Sequence, residues 1–243
     1  MRKSLTMIHI ANSPEQLAID VAEWLVGEAD AAIVARGRFT LVASGGTTSR
    51  LTYETLAQPI YQRRIDWSRT YIFWGDERTV PPNHPDSNYG MMYEALLRHI
   101  PISPEHIFRL RGEIEPHHAA DEYERQIRTF FGDEAPCFDV VLLGMGTDGH
   151  TASLFPYTEA LKANDQLVVA NFVPKLNTWR LTMTAPMINA SRQAAFIVTG
   201  KAKAAMLHTV LHGPHDPQQW PAQMIQDPLW FLDAEAASEL DTP

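Results

Sequence analysis

The stretch Gly144-Met145-Gly146-Thr147-Asp148-Gly149-His150-Thr151-Ala152-Ser153-Leu154-Phe155-Pro156 sets one carboxylate and one imidazole among three glycines. An imidazole that titrates near neutrality can take a proton from water, and a nearby carboxylate can fix its tautomer and stabilise its charged form. His150 and Asp148 are therefore candidates for general-base hydrolysis. The first six residues also fit G-x-G-x-x-G, a dinucleotide pattern. Pro156 interrupts the helix that pattern requires, and no second strand ending in an acidic residue follows at the usual distance. The stretch is better read as a glycine-lined loop that displays Asp148 and His150 at a strand end.

Three further segments could serve the same chemistry. Ser44-Gly45-Gly46-Thr47-Thr48-Ser49 lies between an apolar run and a helical pattern, so its backbone N–H groups can meet an anion at the positive end of a helix. Without a Walker lysine, a nucleoside triphosphate is not expected there. The plain alternative is a strand-to-helix turn capped by Thr47 or Ser49. Gly75-Asp76-Glu77-Arg78 crowds three charges at a strand end, which suits either a working cluster or a solvated arginine–carboxylate pair. Ser87-Asn88-Tyr89, just beyond it, can cap a helix. Lys175, Arg180, Lys201 and Lys203 are cations that, with the glycine turn, could complete a phosphate clamp.

Other chemistries lack support. His208 and His212 stand at i,i+4 and His215 follows, but neither an H-E-x-x-H pattern nor a cysteine set accompanies them. They read as a solvated helix face, as do His117 and His118, and no metal is expected. No G-x-S-x-G elbow occurs, and the lone Cys137 reads as a small buried residue beside a strand. A net charge of −9 argues against a nucleic-acid partner, which would need an uncompensated basic face. No apolar stretch approaches transmembrane length, and the start reaches Asn12, Ser13 and Pro14 too soon for a signal-peptide core. With a single cysteine, a cytoplasmic protein without a membrane partner is expected.

These residues need a scaffold that gathers strand ends. The apolar runs 39–43, 71–74, 138–143 and 194–198 each stop at or just before glycine, and helical patterns separate them around 88–98, 118–130 and 201–212. Continuous rather than alternating apolar strands spaced by helices imply an α/β, doubly wound, mostly parallel sheet with helices on both faces, Rossmann-like. Such sheets bind ligands beyond the carboxyl ends of their strands. Ser13-Pro14-Glu15-Gln16 predicts a helix start with a capping box, followed by Leu17, Val21 and Leu25 on one face. The Pro-rich segments 81–85 and 214–221 read as loops, so residues 1–243 are expected to form a single domain.

Taken in chain order, Ser44-Gly45-Gly46, Gly75-Asp76-Glu77-Arg78 with Val80-Pro81 and Ser87-Asn88-Tyr89, the stretch from Leu143 to Pro156, and Arg180-Leu181-Thr182-Met183-Thr184 resemble the 6-phosphogluconolactonase family from end to end. Thr48 stands where that family often has proline. The wider superfamily includes glucosamine-6-phosphate deaminase, which shares the glycine turn, the acidic pair and D-G-H. Deaminases continue that run with an Asn-Glu pair, whereas Leu154-Phe155 here provides no carboxylate for ring opening. The resemblance implies hydrolysis of 6-phospho-D-glucono-1,5-lactone to 6-phosphogluconate in the oxidative pentose phosphate pathway, with neither metal nor organic cofactor. It implies His150 as general base; the chemistry then makes Asp148 its support and the N–H groups of the 144–149 loop, with Arg78, candidate oxyanion donors. Ser44, Gly45, Gly46, Thr47, Asp76, Glu77, Arg180 and Lys203 would bind the sugar phosphate lactone. The rivals are a deaminase or isomerase of an amino-sugar phosphate and a non-catalytic sugar-phosphate sensor.

Overall fold

The computed structural model describes residues 7–240, so the first six residues of the chain start, which the sequence makes too short of apolar length for a signal-peptide core, lie outside the described residues. In chain order the strands are β1 (Ile8–Ala11), β2 (Phe39–Ala43), β3 (Thr70–Trp74), β4 (Asp76–Arg78), β5 (Ile107–Phe108), β6 (Val140–Leu143), β7 (Val168–Val173), β8 (Thr178–Met183), β9 (Gln193–Val198) and β10 (Leu229–Asp233). The helices are α1 (Pro14–Arg36), α2 (Thr47–Leu56), α3 (Pro59–Gln62), α4 (Asn88–Ala95), α5 (Pro116–Phe131), α6 (Ala185–Asn189) and α7 (Ala204–His212).

Seven strands form one all-parallel sheet in the order β1-β10-β9-β6-β2-β3-β5. Every residue of β2 and β6 is buried, as expected for strands covered on both sides. Adjacent residues of β3 show the two layers. Phe73 meets Tyr123 and Phe130 of α5, whereas Trp74 meets Tyr89 of α4. Successive strand side chains point to opposite faces, so α4 and α5 lie on opposite sides of the sheet. From β2 the chain steps outward to β3 and β5; from β6 it steps the other way to β9 and β10. The order therefore reverses between β2 and β6, and a crevice opens at their carboxyl ends.

Two charged networks set the sheet's other end and its first helix. Asp139, buried just before β6, accepts from Arg36 Nε at 2.9 Å and from the backbone N–H and hydroxyl of Thr40, each at 2.8 Å. It thus ties the end of α1 to β2 and β6. Ser13 caps α1 by accepting from the Gln16 N–H, but the Gln16 side chain donates forward to Asp20 instead of closing a capping box. Asp20 sits one turn along the helix and presents a charged acceptor, the stronger partner for the amide.

A second, antiparallel sheet, β4-β8-β7, was not expected. It makes a strand of the charged triplet Asp76-Glu77-Arg78 and pairs Arg78 with Arg180 and Asp76 with Thr182. Cys137 is partly exposed rather than buried, because it sits in the loop that leads into the sheet. Among the described residues no helix is long and apolar enough to cross a membrane. Nor does any group of three or more His, Cys, Asp or Glu among them have the arrangement to hold a metal ion.

Candidate active site

The crevice between β2 and β6 consists of two adjoining lobes of about 220 and 320 Å³ that share Asp76, Arg78, Gly146, His150, Ala152 and Lys203. Ser44, Gly45, Gly46 and Thr47 line the first lobe; Asp148, Arg180 and Lys175 line the second. The chain thus brings the glycine turn, the imidazole and the cations to one place from β2, β4, β6, β8 and the turn before α7.

The turn after β2 has an anion-binding form. Gly46 is the N-cap of α2 at φ 96°, a left-handed value that favours glycine, and no side chain caps the helix. Neither Thr47 nor Ser49 takes the capping role; Ser49 instead shares a 2.7 Å hydrogen bond with the Ser44 hydroxyl. The first N–H groups of α2 are thereby left for a ligand. Beneath the turn, the buried Tyr53 hydroxyl accepts from the Ser44 N–H at 3.0 Å and donates to the Ser44 carbonyl at 2.9 Å. Thr48 and Thr199 share a 2.7 Å hydrogen bond that links the turn to the end of β9. Tyr53→Phe would leave a buried N–H without its acceptor. We expect it to lose about 1–3 kcal/mol in denaturant unfolding and to raise KM more than it lowers kcat.

The strand period separates the members of the acidic cluster. Asp76 and Arg78 line both lobes, whereas Glu77, between them, lines neither. Asp76 accepts from the Ser153 hydroxyl at 2.7 Å and from the Asn88 amide. Glu77, expected among the substrate-binding residues, instead accepts from the N–H groups of Arg78, Asn88 and Tyr89 and from the Ser87 hydroxyl. It is a buried carboxyl group at the start of α4. Burial pushes its carboxyl up, and the three backbone N–H groups oppose that shift. Ser87 caps α4 by accepting from the Gly90 N–H. Asn88 and Ser153, which hold Asp76, and Thr199 were not singled out for the site from sequence.

The loop after β6 is closed on itself. The Gly146 N–H donates to the His150 carbonyl at 2.8 Å, the Gly149 N–H to the Gly146 carbonyl at 3.1 Å, and the Thr151 hydroxyl to the Gly144 carbonyl. The N–H groups of Gly146 and Gly149 are thus occupied, which removes two of the oxyanion donors expected from this loop and leaves Arg78 as the named candidate that lines both lobes. His150 Nδ1 lies 2.5 Å from Asp148 Oδ1, and the imidazole stacks on Phe155 with centroids 4.1 Å apart. Asp148 Oδ2 accepts from Lys175 at 3.0 Å. The hydrogen bond from His150, followed by the smaller influence of Lys175, holds the Asp148 carboxyl well below the usual range. An ionised carboxylate can only accept, so Nδ1 carries the proton and Nε2 is left as the basic nitrogen. A Cβ on Gly146 would lie 2.1 Å from His150 Nδ1 and 2.7 Å from Asp148 Oδ1.

Among the described residues, Arg78, Arg180 and Lys203 form no salt bridge with a carboxylate. Arg180 stands opposite Arg78 in the sheet register, and its guanidinium is pushed down first by burial and then by Arg78. The half-buried Lys203 ammonium is likewise pushed down by burial. Like charges opposite one another are unfavourable, and a bound anion would relieve them.

Comparison with known proteins places this geometry among relatives. The family model described as glucosamine-6-phosphate isomerases/6-phosphogluconolactonase matches residues 12–230. A 6-phosphogluconolactonase of Nostoc sp. is 40% identical over 236 residues, spanning 93% of this chain and 96% of the relative. One from Synechocystis sp. is 41% identical over 216 residues, spanning 86% and 88%. Among solved structures, the 6-phosphogluconolactonase from Trypanosoma cruzi superposes with a TM-score of 0.83 at 28% identity and covers 98% of each chain.

Proposed function

The chain belongs to the family of glucosamine-6-phosphate isomerases and 6-phosphogluconolactonases, and within it we propose that it hydrolyses 6-phospho-D-glucono-1,5-lactone to 6-phosphogluconate with His150 as general base. One observation carries this reading: an imidazole with Nδ1 engaged by an ionised carboxylate lines a cleft that also holds Arg78, Arg180 and Lys203. Nε2 removes a proton from water as the oxygen attacks the lactone carbonyl. Asp148 stabilises the resulting imidazolium, and Arg78 meets the charge that develops on the carbonyl oxygen. As the tetrahedral intermediate collapses, the bond from the carbonyl carbon to the ring oxygen breaks. The imidazolium then returns its proton to that oxygen. The second proton of the water stays on the new carboxyl group, which ionises to the carboxylate and releases that proton to solvent.

The 6-phosphate serves as a remote anchor. Arg180, Lys203 and the unpaired N–H groups at the start of α2 would hold it, so that binding energy far from the reacting bond positions the carbonyl beside His150. Asp76 would accept from sugar hydroxyls, and its carboxylate is already aimed by Ser153 and Asn88. Lys203→Met is expected to raise KM for the phosphorylated lactone about tenfold and to leave KM for unphosphorylated gluconolactone nearly unchanged, measured by initial rates on both substrates.

Phe155 supports lactonase over deaminase chemistry, because its ring packs flat on His150 and brings no carboxylate to the imidazole. Freshly generated lactone, followed by proton release above the spontaneous background with a chelator present, tests the assignment. Acceleration without ammonia release from glucosamine 6-phosphate is expected. Ammonia release would move the chain to the deaminase reading, and absence of either activity to a sugar-phosphate sensor. The single cysteine and a doubly charged sugar-phosphate substrate support a cytoplasmic setting, and no nucleic-acid partner is required.

A further inference from the structure

The two oxygens of Asp148 are divided between different parts of the fold. Oδ1 accepts a hydrogen bond from His150 Nδ1 in its own loop, and Oδ2 accepts one from Lys175 Nζ in the 3-10 turn Pro174–Leu176 at the tip of the β7–β8 hairpin. That turn is closed by Asn177 in the left-handed region at φ 47°. The hairpin also bonds Ser153, through Asn171 of β7 and Thr182 of β8, and the ion pair makes one arm of the base's support depend on the small antiparallel sheet.

We propose that Lys175 is a positioning residue for the hydrolysis: by occupying Oδ2 it aims the Asp148 carboxylate at His150 and tempers the charge that the imidazole feels. This rests on the reading of His150 as the base. The other charged groups around the imidazole come from β4 (Asp76 and Arg78), β8 (Arg180) and the turn before α7 (Lys203). None of them bonds to Asp148, and the three cations are disposed to meet a phosphate whose charge would offset theirs. Lys203 feels the Asp148 charge without bonding to it, whereas Lys175 donates directly to Oδ2. An uncompensated Asp148 would hold the imidazolium more tightly, so removal of Lys175 favours the protonated ring and reduces the fraction of base at acid pH. The Lys175 side chain is 70% exposed, so solvent screens the effect to about half a pH unit.

The test compares wild type, Lys175→Met and Lys175→Arg in two measurements. The first is an NMR titration of the His150 ring without substrate, with its signal assigned by loss in His150→Gln. The second is the pH profile of kcat/KM. In Lys175→Met the titration midpoint and the acid limb should both move up by about half a pH unit, with a rate loss of about threefold one unit below the limb that shrinks toward the plateau. Lys175→Arg should restore both, and 1 M salt should shrink the difference. An unmoved midpoint at low salt would overturn the proposal. So would a loss of kcat/KM equal at every pH, which would mark Lys175 as a substrate contact. The NMR titration needs no turnover, so failure of the lactonase reading shows as absent wild-type acceleration, and failure of this proposal as an unmoved midpoint.

Discussion

Replacing His150 with glutamine is expected to lower kcat on 6-phosphogluconolactone about a thousandfold, with KM changed less than threefold. The imidazole is the group in the cleft with a basic nitrogen left over after its hydrogen bonds are counted. Nδ1 is committed to Asp148, and the carboxylate of Asp148 is itself committed to His150 and Lys175. Glutamine keeps a donor for Asp148 and a similar reach but has no basic atom, so binding should survive where proton transfer does not. The side chain is partly exposed and packs on Phe155 from one side, so the fold should tolerate the change. Stopped-flow proton release, corrected for spontaneous hydrolysis, gives kcat and KM separately. Activity above a tenth of wild type would show that another group takes the proton, and Asp76 would be the first to examine.

How far the site was legible depends on which periodicity the chain follows locally. The parallel sheet was readable because strands covered on both faces are continuous apolar runs, and 39–43 coincides with β2 residue for residue. The second sheet was not readable. β4 is three charged residues with no apolar alternation, and it is a strand only because β8 pairs with it. That gap had a direct consequence at the site. A period of two puts Asp76 and Arg78 on one face, toward the lobes, and Glu77 on the other, toward the start of α4. β1 and β10 carry weak sequence signals for different reasons: β1 is short, contains His9 and exposes Ile8 and Ile10, while the run from Leu229 follows a proline-rich segment.

The glycine loops show a different limit. Residue types at 144–150 were enough to propose a base and its carboxylate, but spacing could not show that Asp148 and His150 touch. Nor could it show which backbone N–H groups the loop consumes internally. In sequence Lys175 is indistinguishable from the possible phosphate cations for the same reason: sequence shows that a charge exists, and only the hairpin shows which oxygen it meets.

Gly146→Ala tests whether that closed loop matters through geometry alone, and kcat should fall about a hundredfold. Gly146 is not in the left-handed region, so alanine can adopt its backbone conformation and the hydrogen bonds of its N–H and carbonyl groups can persist. The added methyl has no room. It would lie 2.1 Å from Nδ1 and 2.3 Å from Cε1 of His150, with Asp148 Oδ1 at 2.7 Å. Backbone cannot yield easily in a loop closed by its own hydrogen bonds, so the imidazole must swing away and surrender its contact with the carboxylate. A displacement of about 1 Å at the base is enough for a loss of this size. Because the clash is with a partly exposed ring rather than the core, the denaturant midpoint should move little, which separates this variant from a folding defect. His150→Gln combined with Gly146→Ala should be no slower than His150→Gln alone, since the methyl acts only by moving a group already removed. An additive loss in the double variant would mean that Gly146 serves the reaction directly, as a surface against which the lactone itself is placed.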